Sequence, residues 1–208
     1  MAQKTDGLRA VLSHPAFYDF LQTALGAGRA RARMMSDHIR PRKDDRVLDI
    51  GCGTAELLPY FPVDIDYVGF DLSSRYIDAA RKRYGDRGRF ECMDVADFQD
   101  TQVRQHGADL VLAIGILHHL DDDQARSLIN VASSMLRPGG RFISMDGTLV
   151  AGQSAAARGL ILRDRGQNIR EPDGYAGLAT GSFTEIKPVV RHDLLYVPYT
   201  HCILECTR

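Results

Sequence analysis

The stretch Val47-Leu-Asp-Ile-Gly51-Cys-Gly53-Thr-Ala-Glu-Leu-Leu58 holds the residues best spaced for chemistry. An apolar run enters two glycines one residue apart, which lets the chain turn sharply and bring its backbone against a ligand. The pattern predicts a buried strand, a glycine turn and then a helix. Asp71 stands twenty residues beyond Gly51 and closes a second apolar run, Tyr67-Val-Gly-Phe-Asp71. A carboxylate there can accept both hydroxyls of a ribose. A tight turn and a helix-capping aspartate would explain each feature alone, but not the two in register.

Two nucleoside ligands fit such a loop. A dinucleotide fingerprint has a third glycine that lets the helix pack on the strand, and Glu56 occupies that position. Asp49, two residues before Gly51, would repel a pyrophosphate and suits a ligand with an ammonium or sulfonium group. The loop therefore leans from a nicotinamide cofactor towards S-adenosylmethionine. Further along, His118 and His119 follow the apolar run 109–114, and Asp146 ends the run 141–145. Histidine and aspartate at strand ends are candidates for general acid–base work. A turn-capping role explains either residue equally well.

The elements that must position these residues repeat as short apolar run, turn and amphipathic segment. Runs at 46–50, 65–70, 89–93, 109–114 and 141–145 are rich in Val, Ile, Leu or Phe, as buried parallel strands are. The segment 122–136 places Ala125, Leu128, Ile129, Ala132, Met135 and Leu136 on one helical face, with Asp121 and Gln124 spaced as a capping box. A second helix, 74–84, is expected to turn Tyr76, Ile77, Ala80 and Tyr84 inward. This alternation specifies an α/β doubly wound, Rossmann-like, mostly parallel sheet of seven strands with helices on both faces. The last two strands are expected within 183–195 and 199–206. Residues 1–40 read as an N-terminal helical arm and 41–208 as one domain, with 148–180 a partly helical insertion bordering the site.

The composition narrows the function classes. Twenty-six Lys+Arg against 27 Asp+Glu leave no basic excess for nucleic acid. The longest apolar run, 110–117, is far short of the roughly 20 residues of a membrane span. Four scattered cysteines without a CxxC pair, and an N-terminus without a signal-peptide pattern, point to the cytoplasm. The histidines show no metal-ligand spacing, so no metal is expected.

VLDIGCGTAELL, GFDLSSRYIDAARKRY, ECMDVADF, DLVLAIGILHHLDD and LRPGGRFISMDG resemble the successive motifs of the class I S-adenosylmethionine-dependent methyltransferases. The resemblance is close over 45–147 and departs at Ala55, where the family often has a third glycine. It implies a cofactor lined by Asp49, Gly51, Cys52 and Gly53, with Asp71 on the ribose and Leu72 on the adenine. Asp94 would meet the adenine amino group with Val95 beside it, and Ala113, Ile114 and Gly115 would pass beneath. An N-terminal helix closes over the cofactor in many members, which would bring Phe17 and Tyr18 there, although packing on the sheet is the plainer role for both. By the same likeness His118 faces the acceptor, His119 serves structure, and Asp146 lies on the active rim. Arg165 and Arg170 of the insertion are candidate forks for an anionic or sugar-containing acceptor. The expected reaction is methyl transfer to a small molecule, O-methylation before N- or C-methylation, leaving S-adenosylhomocysteine. A catalytically silent binding module and a nicotinamide-dependent oxidoreductase are the alternatives.

Overall fold

The structure is a computed structural model and describes residues 26–98, 100, 105–163 and 166–208. Its strands are β1 (Arg46–Ile50), β2 (Asp66–Phe70), β3 (Arg89–Glu91), β4 (Ala108–Ile114), β5 (Leu136–Gly147), β6 (Glu185–Arg191) and β7 (His201–Thr207). They form one sheet in the order β3-β2-β1-β4-β5-β7-β6. β1 to β5 are parallel, and β7 runs antiparallel to both β5 and β6. The described helices are α1 (Ala27–Arg33), α2 (Ser74–Tyr84), α3 (Asp122–Met135), α4 (Ala155–Ile161) and α5 (Pro172–Ala179). None is long and apolar enough to cross a membrane.

Alternation along the central strands builds two cores, one on each face of the sheet. Val47, Leu110, Leu112, Ile143 and Ile203 face Ala30 of α1, Met34 and Ile39 of the wide turn that follows it, and Ile77 and Ala80 of α2. Their neighbours Leu48, Val111, Ala113, Phe142 and Leu204 face Ala125, Ile129 and Ala132 of α3 and Leu178 of α5. The strand order reverses between β1 and β4, which opens a crevice at the carboxyl ends of these strands.

Some local expectations are corrected. The helix expected after the glycine turn is only a single 3-10 turn, Leu58–Tyr60. Pro59 lies inside that turn and Pro62 just beyond it, and neither can donate a helical hydrogen bond. Tyr76 is 49% exposed rather than inward, because it lies in the first turn of α2, where its N–H is capped by Ser73. β5 begins at Leu136, so the Pro138-Gly139-Gly140 stretch lies inside its span, where register shifts against β4. α3 carries the expected capping box between Asp121 and Gln124.

Candidate active site

The glycine loop leaves β1 with Gly51 at φ 71° and Gly53 at φ 56°, both in the left-handed region that glycine adopts without strain. The two are required for different reasons. A Cβ on Gly51 would lie 2.3 Å from Cδ1 of Ile116, so the loop after β4 packs directly on it. A Cβ on Gly53 would meet nothing within 4 Å. Ala55 also sits at φ 58°, and its methyl is fully buried. The strain of about 1 kcal/mol is offset by burial of that methyl, worth about 0.8 kcal/mol.

Asp71 follows β2 with its carboxylate already oriented. Oδ2 accepts the Gly53 N–H at 3.0 Å and Oδ1 accepts the Ser73 N–H at 2.8 Å. Each oxygen keeps acceptor capacity for a ribose hydroxyl. Leu72 beside it is 75% exposed, an apolar surface at the sheet edge on which a purine can lie. Asp94 is exposed after β3 and caps the turn Val95–Asp97 through the Ala96 N–H, while Val95 is buried beneath it. Ala113 is fully buried, so only its backbone can take part, whereas Ile114 and Gly115 reach the rim. A Cβ on Gly115 would also meet open space.

Asp49 is 3% exposed and accepts the Tyr67 hydroxyl at 2.6 Å. Tyr67 pairs with Val47, which alternation places on the same sheet face as Asp49, and Gly69 opposite Asp49 adds no side chain there. Burial pushes the Asp49 carboxyl up to about 7, against the lowering effect of the Tyr67 hydrogen bond, and the charge of Asp71 adds to the rise. Burial, Asp49 and Asp71 also push the Cys52 thiol upward, which makes Cys52 a loop residue and not a nucleophile.

Across the rim, parallel pairing of Ile114 with Met145 brings the turn after β4, which carries His118, beside Asp146 near the end of β5. His118 Nδ1 lies 2.8 Å from Asp146 Oδ1, and the His118 backbone N–H donates to the same oxygen at 3.2 Å. Both groups are buried. An ionised carboxylate can only accept, so with Asp146 ionised the Nδ1 would donate, and a neutral ring would then carry its lone pair on Nε2. Asp146 Oδ2 is buried with no partner among the described residues. A Cβ on Gly166 would lie 2.0 Å from His118 Cδ2, so only glycine allows the insertion to cross the ring. His119 is exposed, its ring 4.1 Å from that of His118.

Arg170 is corrected. Its guanidinium is turned inward and bonded to the protein itself, which leaves it no fork to offer an anionic acceptor. Arg165, Phe17 and Tyr18 lie outside the described residues. Sequence reasoning missed Tyr67 and Gly166. Alternation along β1 and β2 could have found Tyr67, but nothing local marks Gly166.

The loop geometry separates the two candidate ligands. Pyrophosphate sites use the positive end of a helix following the glycine loop, and here that helix is absent. Glu56 is instead paired with Arg83. Two carboxylates, an open glycine face and an exposed leucine fit an adenosyl ligand with a cationic tail.

A family model described as a methyltransferase domain matches residues 48–142. The 27-O-demethylrifamycin SV methyltransferase of Amycolatopsis mediterranei (strain S699) is 34% identical over 116 residues, covering 52% of this chain and 41% of that protein. The chain thus spans less than half the length of that relative. The S-adenosylmethionine-dependent methyltransferase SibL, in its apo form, superposes over 100% of this chain and 63% of its own with a TM-score of 0.72 at 17% identity. Magnesium protoporphyrin IX methyltransferase from Synechocystis PCC 6803 with bound SAH gives 0.63 over 100% of this chain and 90% of its own, also at 17% identity. These two structures share the fold. The domain match over residues 48–142 and the motif order make that part of the chain similar to the class I S-adenosylmethionine-dependent methyltransferases.

Proposed function

We propose that the chain transfers the methyl group of S-adenosylmethionine to an oxygen of a small-molecule acceptor, with His118 as general base and Asp146 as the group that orients it. The observation that carries this reading is the buried contact from His118 Nδ1 to Asp146 Oδ1, on a loop whose Ile116 packs on Gly51. The bound donor supplies an electrophilic methyl on a sulfonium, and S-adenosylhomocysteine remains after transfer. Asp71 holds the ribose, Leu72 the adenine, and Asp49 the positively charged methionine end. His118 Nε2 takes the hydroxyl proton as the acceptor oxygen bonds to the methyl carbon, and Asp146 stabilises the imidazolium that forms. The buried Asp146 Oδ2 offers a further acceptor for a substrate hydroxyl or an ordered water. The name of the rifamycin relative, an O-demethyl substrate, supports oxygen as the methylated atom. With Arg170 engaged elsewhere, an anionic acceptor would meet Arg158 and Arg163, both exposed on the insertion. All four cysteines are free thiols, which fits a cytoplasmic enzyme.

Thermal unfolding with S-adenosylhomocysteine, S-adenosylmethionine and NADH in parallel tests the donor. A ligand at 100 times its dissociation constant stabilises the native state by about 2.7 kcal/mol. Stabilisation by the adenosyl sulfur compounds alone is expected, and a shift by NADH alone would overturn the reading. Asp71→Ala should weaken S-adenosylhomocysteine at least about tenfold, since two charge-assisted hydrogen bonds are lost. Isothermal titration of variant and parent measures this, and an unchanged dissociation constant would remove Asp71 from the ribose.

A further inference from the structure

We infer that Arg170 is a positioning residue for the base: it fixes the turn that carries His118, so that the imidazole meets Asp146 through Nδ1 and keeps Nε2 for the acceptor. The inference rests on reading His118 as that base. Arg170 Nη1 donates to the Leu117 carbonyl at 2.9 Å and Nη2 to the Leu120 carbonyl at 2.8 Å. These two carbonyls bracket His118. Nη1 also donates to the Asn168 carbonyl at 3.0 Å, and the Asn168 N–H donates to the His118 carbonyl at 3.0 Å. Nε completes the fork on Asp122 Oδ1 at 2.9 Å, with Nη2 2.7 Å from the same oxygen.

The other side of the His118–Asp146 contact is tied to the same residue. Arg170 bridges Thr148, two residues past Asp146, and the Thr148 hydroxyl donates to the Arg170 carbonyl at 2.8 Å. The guanidinium lies 5.8 Å over the Tyr175 ring, whose hydroxyl donates to the Gly147 carbonyl at 2.9 Å. One residue thus spans the loop after β4 and the end of β5, the two segments whose separation sets the distance from His118 to Asp146. The guanidinium's planar array of donors makes this possible, and a lysine ammonium, a point charge with three donors, cannot reach all four acceptors.

The test uses the full chain labelled with 15N at histidine, in the parent and in Arg170→Lys and Arg170→Ala, at alkaline pH where imidazoles are neutral. His118→Gln assigns the resonance. The parent should show His118 as the Nδ1–H tautomer alone, and both Arg170 variants a mixture of the two tautomers. With an acceptor in hand, kcat should fall about tenfold or more while the acceptor KM stays within twofold. Folded Arg170 variants with the parent's His118 spectrum would overturn the inference. If Arg170→Ala does not fold, Asp122→Ala removes only the fork's most exposed partner and should move the tautomer ratio the same way. An unchanged ratio there would also overturn it. S-adenosylhomocysteine is titrated into the same samples: a parent that fails to bind it defeats the proposed function, while the tautomer result is read without cofactor.

Discussion

Asp49→Asn will make the protein more stable at pH 8 and at the same time weaken its hold on the cofactor at least tenfold. The Asp49 carboxyl is raised from 3.8 to about 7 in the folded chain by burial. Below pH 3.8 both folded and unfolded forms are protonated and nothing is lost. As pH rises through that value the unfolded chain ionises while the folded one does not, and the penalty grows until pH passes about 7. Roughly three pH units at about 1.4 kcal/mol each set an upper bound of about 4 kcal/mol. Asn is isosteric and can still accept from Tyr67, so the variant is relieved of this penalty. Its denaturation midpoint should exceed the parent's by a margin that widens from pH 4 to 7 and then levels. A ligand with an ammonium and a sulfonium selects the ionised carboxylate, so the parent should bind S-adenosylmethionine more weakly below pH 7, and the variant without that dependence. Parent affinities equal at pH 6 and pH 8 would place the cationic end elsewhere.

His118→Gln should lower methyl transfer by about 10²–10⁴-fold, the usual contribution of a positioned base, with S-adenosylhomocysteine affinity within twofold of the parent. Gly166→Ala should reach the same result by displacement, since its Cβ would lie 2.0 Å from the His118 ring and 3.1 Å from the His118 carbonyl oxygen. Asp146→Asn should also cost rate, because an amide in place of the carboxylate no longer imposes the Nδ1–H tautomer. Steady-state rates with donor in excess measure all three. A His118→Gln enzyme that keeps more than a tenth of the parent rate would mean that the acceptor needs no base.

The central strands and the helices α2 and α3 could be read from the sequence because each obeys one period over its whole length. Val47 and Leu48 must both be apolar when helices cover both faces, and the capping box at Asp121 marks one helix start without tertiary help. The missing helix after Gly53 shows where pattern fails. The apolar Leu57 and Leu58 suit a helix, but Pro59 and Pro62 leave no room for a second turn. In the site, Asp49, Asp71 and the glycines are close in sequence to the strands that place them. His118 and Asp146 stand 28 residues apart, and their contact depends on the register of β4 with β5. The engagement of Arg170 was not legible because the Leu117, Leu120 and Asn168 carbonyls carry no side-chain signature and its carboxylate partner, Asp122, stands 48 residues away.

The absent helix after the glycine loop also bears on how a turnover ends. In dinucleotide-binding folds a helix N-terminus contributes about half a positive charge beside the ligand. Here two carboxylates, Asp49 and Asp71, stand at the strand ends with no such dipole behind the loop. On the proposed placement, the methionine portion would therefore rest in a negative field. The donor enters with one positive charge more than the thioether that is left once its methyl has gone. The site's charge would thus hold the donor more strongly than the neutral thioether left after transfer, so charge alone would favour release of the product.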